Sequence, residues 1–309
     1  MFHIIINPVA GQGHGLVRLP FLTELFEARG MPYEVMQTTS PMDGCKKARQ
    51  ACAAGSHGII GIGGDGTVQE IVAGMATAFE GKPAIPIPLG VFPCGSGNDF
   101  VLTLEGGKAA TVRKYSKAKN RQAAEAVFDA VINKRLRTID LIKADGTAFL
   151  NIGNLGIDAR IVQHALHLKR RFGRYAYLAA VYSSIAKHEN LPLTIRANGE
   201  VCEGKYTLVA ICNGQYYGGG MPVAPPAQLD DGLITLCMVE AMSRPEAMVL
   251  FPSVLLALHT RLKKVRFLQC TSLTITLPHA ESLCLDGNLY NKRGDITFEI
   301  MPRALNLFN

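Results

Sequence analysis

The sequence predicts a two-domain chain: an N-terminal doubly wound α/β domain on a parallel sheet over residues 1–135, and a C-terminal, mainly antiparallel β-sandwich domain over residues 136–309. Three observations predict it. Apolar runs of strand length alternate with helix-period segments through the first third of the chain. Two of those strands end in glycine turns that carry an acid. Beyond residue 136 the helical period gives way to short alternating runs separated by turn residues. The far C-terminus is left free to pack back on the first domain.

Residues 2–7 (Phe-His-Ile-Ile-Ile-Asn) read as the first strand, and 18–28 as a helix with Leu19, Leu22, Leu25 and Phe26 on one side. Strands at 33–37, 58–62 and 86–92 alternate with helices at 43–54 and 68–79, and helices follow the last strand. Strands separated by helices imply parallel pairing through right-handed crossovers. Residues 137–143 and 147–152 read as a hairpin around Ala144-Asp145-Gly146. A helical piece over 156–188, broken around 171–173, precedes short strands at 193–197, 204–213, 233–240, 273–277 and 295–302.

With 309 residues, 48% of them hydrophobic, the chain is long enough for two cores. Its eight cysteines form no C-x-x-C pair and read as buried apolar groups or thiols of a reducing cytosol. The N-terminal apolar run is too short for a secretion signal, and no apolar run approaches the ~18 residues of a membrane span. The expected location is the cytoplasm. A net charge of +7 points to an anionic partner. Basic clusters lie at 113–121, 134–137, 169–174 and 261–266, with neither the interleaved aromatics of an RNA platform nor a DNA-binding helix pair. An acidic membrane surface fits better than nucleic acid, although each cluster also reads as a solvated face.

The most informative residues are Gly63-Gly64-Asp65-Gly66-Thr67, directly behind the apolar run 58–62. Glycines let the backbone approach a polyphosphate, and the helix that follows adds its positive end. A carboxylate beside phosphate repels it unless a cation lies between, so Asp65 implies Mg²⁺-nucleotide. Gly61, Gly63 and Gly66 formally satisfy G-x-G-x-x-G, but no acid closes a clear second strand about twenty residues on. No Walker A loop is present, because Gly106-Gly107-Lys108 runs into Ala109. The strand 86–92 opens into a second such turn, Pro93-Cys94-Gly95-Ser96-Gly97-Asn98-Asp99-Phe100. Ligands of open α/β sheets collect at the C-terminal ends of strands, so both turns can face one crevice.

These two turns, with the opening Ile6-Asn7-Pro8-Val9-Ala10-Gly11-Gln12-Gly13, resemble the diacylglycerol kinase catalytic-domain family, which includes bacterial soluble lipid kinases and the sphingosine and ceramide kinases. The likeness runs on through Asn151-Ile152-Gly153-Asn154-Leu155-Gly156-Ile157-Asp158, Asn213-Gly214, Gly218-Gly219-Gly220, Leu229-Asp230-Asp231-Gly232 and Leu285-Asp286-Gly287. It implies an ATP-dependent kinase that uses Mg²⁺ to phosphorylate a lipid hydroxyl, diacylglycerol-like, at the membrane surface. A homodimer is left open, as is the identity of the lipid.

Carried over by position, Asn7, Thr39, Gly63, Gly64, Asp65, Gly66, Thr67, Ser96 and Asn98 would hold the nucleotide. Thr39 reads equally as part of a helix cap. His14 stands where a lysine is common in the family. Asp65 and Asp99 would organise Mg²⁺ and water. A structural Mg²⁺ would take the Asp231 carboxylate and the carbonyls of Gln228 and Leu233, a segment that also reads as a simple Asp-Gly turn. For the lipid, residues 176–185 with Phe172 and Tyr175 offer an apolar surface, and 248–258 a second; both also read as core helices.

The chain departs from the family at its last motif. Where the resemblance implies Asp-Gly-Glu with the glutamate as general base, Asp286-Gly287-Asn288 stands, and an amide takes no proton at neutral pH. Three readings follow: Asp65, Asp99 or Asp286 acts as base through water; the acceptor or mechanism differs; or the chain is a pseudokinase that binds nucleotide or lipid without turnover. If the missing carboxylate limits the rate, Asn288→Glu raises it. NAD kinases and phosphofructokinases share the Gly-Gly-Asp-Gly turn, but the Thr-Pro-x-Gly-Ser segment of NAD kinases is absent.

Overall fold

The computed structural model describes residues 1–107, 115, 120–157, 183–185 and 189–309. Most of the helical piece expected over 156–188, the basic run 169–174, most of 113–121, and Phe172, Tyr175 and residues 176–182 of the apolar surface expected over 176–185 lie outside the described residues.

In the first lobe β1 (Phe2–Ile6), β2 (Tyr33–Gln37), β3 (Ile59–Gly63) and β4 (Ile85–Pro93) pair in parallel in the order β2-β1-β3-β4. Alternation along β1 explains why helices cover both faces. Ile4 and Ile6 point to a core shared with Leu22 and Phe26 of α1 (His14–Ala28) and with Ala123 and Val127 of α5 (Asn120–Ile132). Ile5 points the other way, toward Ala48 of α2 (Asp43–Ala53) and Ile71 and Val72 of α3 (Asp65–Ala78). The order reverses between β1 and β3, and that is where an open sheet gathers ligands.

Two helix starts differ from the sequence reading. The first helix is expected over 18–28, yet α1 begins at His14 and carries Pro20 inside. The buried residues Arg18, Leu22 and Phe26, spaced by four, hold it to the sheet. Likewise α3 begins at Asp65 rather than 68, with Gly64 extended at the cap position. Asp65 therefore sits in the helix's first turn, where the helix dipole favours a negative charge. A short helix, α4 (Asp99–Leu104), follows the second glycine turn.

The second lobe is antiparallel. β5 (Leu136–Ala144) and β6 (Thr147–Phe149) form the expected hairpin, and the positive φ of Asp145 and Gly146, 43° and 87°, gives the twist that a two-residue turn needs. β7 (Ile152–Gly156), β8 (Leu191–Ala197), β9 (Glu200–Cys212), β12 (Ile234–Glu240), β13 (Val265–Cys270) and β14 (Ser272–Leu285) enclose a second core that includes Phe149, Val209, Leu236 and Ile275. A small hairpin, β10 (Tyr216–Tyr217) with β11 (Met221–Pro222), stands apart. α6 (Arg244–Leu255) begins with a capping box between Ser243 and Glu246.

The strand expected over 295–302 is the middle of a much longer one, β15 (Asn288–Phe308). It pairs antiparallel with β14 and β5, then changes register around Arg303 and runs parallel beside β4 through Leu305–Phe308. One strand thus belongs to both lobes. Asp140, fully buried on β5, accepts the Arg303 N–H at 2.6 Å and the Gly232 N–H at 2.7 Å, fixing the bend. No disulfide joins any of the eight cysteines. Among the described residues no helix is long and apolar enough to cross a membrane.

Candidate active site

The two glycine turns meet backbone to backbone. A Cβ on Gly95 would lie 2.6 Å from Gly64 Cα, and one on Gly63 would lie 2.5 Å from Thr67 Cβ. These positions need glycine for close approach, since neither Gly63, Gly64 nor Gly66 has positive φ. The Cys94 N–H donates to the Gly63 carbonyl at 2.6 Å, locking β4's turn to β3's. The first loop joins them: Asn7 Nδ2 donates to Thr67 Oγ1 at 3.1 Å, and Asn7 Oδ1 accepts the Val9 N–H. Asn98, in a left-handed conformation, accepts the Gly95 N–H at 2.8 Å and donates back to the Gly95 carbonyl, closing its own turn.

Beneath the second turn lies an arginine to which the sequence attached no role. Arg18 is 3% exposed, gives hydrogen bonds to the carbonyls of Pro93 at 2.6 Å and Tyr115 at 2.7 Å, and stacks on Phe92. The guanidinium ties α1 to the last residue of β4. Its signal was an arginine in register with the apolar face of a helix.

Three carboxyls from distant parts of the chain converge on one cavity of about 390 Å³, lined also by Ser96, Gly97, Asn151, Asn154 and Tyr217. Asp65 Oδ1 accepts the Phe100 N–H at 3.1 Å. Asp99 accepts the N–H groups of Gly219 and Gly220 at 2.7–3.0 Å. Those glycines follow Gly218 with φ of 60°, 88° and 102° in chain order, a left-handed run that aims successive N–H groups at one anion. Asp286 sits with Gly287 in the two-residue β14–β15 turn, and its carboxylate takes the N–H groups of Leu150, Asn151 and Ile152 at 2.7–3.3 Å. Those donors are the two residues between β6 and β7 and the first residue of β7. The strand expected over 147–152 splits there because a carboxylate, not a strand partner, satisfies its backbone.

Burial raises all three carboxyls, most plainly Asp99 and Asp286, each to about 7. Asp65's charge adds to the rise at Asp99 and at Asp286. Three acids forced together in a crevice is an arrangement that a divalent cation relieves. Among the described residues no three His, Cys, Asp or Glu side chains form a group that could hold a metal ion. Asn151 and Asn154 also line the cavity, and their side-chain oxygens are buried without a hydrogen-bond partner.

Other predicted residues lie elsewhere. Thr39 gives its N–H and hydroxyl to Asp43 at 2.9 and 3.1 Å, at the start of α2; that engages it as a cap. Asp231 accepts the N–H of Leu233, two residues on, at 2.9 Å. Burial pushes the Asp231 carboxyl up, with Asp140 and Asp230 adding to it, so the segment around Gln228 and Leu233 is electronegative without being a cage. Asn288 is not among the residues lining the cavity. Its Nδ2 donates to the Gly66 carbonyl at 3.0 Å and to Gln69 Oε1 at 2.6 Å. Gln69 in turn is held by Ala148 and Tyr290.

Asn288 therefore ties β15 to the first turn of α3 through donors that a carboxylate lacks. Asn288→Glu is expected to lower stability by about 1–3 kcal/mol and to leave turnover unchanged or reduced. Thermal denaturation and steady-state rates check this, and a faster variant would show that a base at this position limits the wild type.

Comparison with known proteins follows the same lines. The diacylglycerol kinase catalytic domain matches residues 1–144, and the YegS C-terminal NAD kinase beta sandwich-like domain matches 152–309. A diacylglycerol kinase of Mycobacterium tuberculosis is 26% identical over 89% of this chain and 84% of its own length. A probable YegS-like lipid kinase of Chromohalobacter salexigens is 31% identical over 79% of this chain and 74% of its own. The crystal structure of a putative diacylglycerol kinase from Bacillus anthracis superimposes with a TM-score of 0.77 at 23% identity, covering 99% of this chain and 94% of that one, and shares the fold.

Proposed function

The chain belongs to the diacylglycerol kinase catalytic-domain family of lipid kinases, and on that footing we propose that it transfers the γ-phosphate of ATP to the hydroxyl of a diacylglycerol-like lipid. The observation that carries this reading is the meeting of Asp65, Asp99 and Asp286 in one cavity at the ends of β3 and β4. Residues 1–135 would hold the nucleotide and 136–309 present the acceptor, with the protein cytoplasmic and resting on the membrane surface.

Asn7, Gly63, Gly64, Gly66, Thr67 and Ser96 would form the wall for the phosphates, while Asn98 keeps the second turn in shape and Thr39 stays engaged with Asp43 at the start of α2. Asp65 and Asp99 would hold Mg²⁺, which when bound neutralises phosphate charge. Gln228, Asp231 and Leu233 would hold a second, structural ion. Asp286 has N–H donors on both oxygens and positions the β6–β7 gap against the cavity. With Mg²⁺ held by Asp65 and Asp99, the acceptor's proton would pass through water to Asp65, Asp99 or Asp286, which line the same cavity. That assignment gives the chain a base without Glu at position 288.

The test is transfer of labelled γ-phosphate to a panel of lipids in mixed micelles with Mg²⁺, with NAD⁺ as a further acceptor. A labelled lipid supports the reading and names the acceptor. Labelled NAD⁺ alone would redirect it. No product from a preparation that binds ATP would support a binding protein without turnover.

The raised carboxyls also set a pH dependence. Each of Asp99 and Asp286 binds its proton more tightly in the folded state, at about 7, than at the ordinary carboxyl value of 3.8. This contribution to stability is full below that ordinary value and is lost as pH rises through about 7. Metal-free protein is expected to melt several degrees higher at about pH 5.5 than at about pH 8, and Asp99→Asn to flatten the slope. Differential scanning calorimetry across this range checks both.

A further inference from the structure

α6 is apolar on both of its sides. Ala247, Leu250 and Val254 are buried in a core with Met221, Val223 and Ala224, yet Met248, Val249 and Leu255 on the same helix are exposed, as are Leu256 and Leu258 just after it. Among the described residues twelve large hydrophobics are exposed, and five of them fall within these eleven positions. A helix of a water-facing surface carries polar residues opposite its core face; one apolar all round has a second apolar medium against it.

The charges around it say which medium. Residues 244–266 hold five Lys or Arg and one acid, Glu246. Lys264 Nζ pairs with Glu246 at 2.7 Å, which folds the run Arg261–Arg266 back beside the first turn of α6. That pairing neutralises the single acid and leaves Arg244, Arg261, Lys263 and Arg266 exposed around the apolar face. Apolar side chains fringed by unopposed cations complement an anionic bilayer surface, where the former enter the headgroup boundary and the latter meet lipid phosphates.

The position fits the chemistry as well. α6 packs on β11, and the buried His259 just beyond it bonds the Val223 carbonyl at 2.9 Å. The turn of the β10–β11 hairpin is the one that lines the cavity and grips Asp99. We propose that α6 with residues 256–266 is the surface on which the protein docks to an anionic membrane, setting the mouth of the cavity against the lipid that it phosphorylates; this rests on the lipid-kinase reading.

Sedimentation with vesicles of phosphatidylglycerol and phosphatidylcholine tests it, using the full chain. Wild type is expected to bind the anionic vesicles and to be released by about 0.5 M salt. Val249→Asp with Leu256→Asp is expected to weaken binding about 10-fold or more, and Arg261→Glu with Lys263→Glu by a similar factor on anionic vesicles only. Both variants should phosphorylate a short-chain, water-soluble acceptor at the wild-type rate. Vesicle binding unchanged in both variants overturns the proposal. So does a wild-type dimer that these substitutions split, with no change in vesicle binding, since a second copy then covers α6. If wild type docks and the variants do not, yet no lipid is phosphorylated in micelles, docking stands and the kinase reading is what fails.

Discussion

Asp65→Asn is expected to abolish phosphoryl transfer, by about 10³-fold or more, in a protein that folds at least as well as the wild type. The amide keeps an oxygen to accept the Phe100 N–H, so the link between α3 and the second glycine turn survives. What disappears is a negative charge that the surroundings already resist, as the raised carboxyl shows. Removing it also relieves Asp99 and Asp286, both of which Asp65 pushes up. Turnover and calorimetry together decide the matter. Near-normal turnover would take Asp65 out of the reaction, whereas lost activity with a lowered melting point would make it a structural group.

Gly95→Ala is the second large effect. Its Cβ would meet Gly64 Cα at 2.6 Å and Asn98 Oδ1 at 2.9 Å, so the two turns must part or the Asn98 closure must break. The expected cost is about 1–3 kcal/mol of stability. The nucleotide site is built from those same backbones, so ATP affinity by titration calorimetry is expected to fall about 10-fold or more. Gly81→Ala is the control. It has a left-handed φ of 78° with no atom near its Cβ, so it costs about 1 kcal/mol of strain and leaves ATP affinity alone. Equal ATP affinity in Gly95→Ala and wild type would show that the turns do not act as one site.

Local pattern carried much of this into view. The alternation of strands and helices, the two acidic glycine turns and the Asp145-Gly146 hairpin are all short-range signals, and each is present, although α1 and α3 begin at His14 and Asp65 rather than at 18 and 68. What stayed hidden depends on partners far along the chain. Nothing around Leu150 shows that a carboxylate 136 residues away takes its N–H, so the strand break at the β6–β7 gap was unreadable. The left-handed run Gly218-Gly219-Gly220 was visible as glycine, but its target, Asp99, lies 120 residues earlier. Asn288 read as a lost base because its neighbours in sequence say nothing of Gln69 or Gly66. Arg18 was passed over because a charged residue at the edge of an apolar stripe is ordinarily a solvated one.

The shared strand β15 bears on how the protein is made. Leu305 and Leu307 are fully or nearly fully buried in the core that α2 and α3 cover, and they pair with β4. A ribosome that has released residues 1–144 has therefore released, among the described residues, every helix and strand of the nucleotide lobe except the one that closes its sheet beside β4. Until residues 305–308 emerge, that edge presents unpaired N–H and carbonyl groups to whatever else is nearby. Synthesis of the second lobe is thus a waiting period for the first, in which a chaperone or a neighbouring nascent chain has a strand-sized opening to occupy.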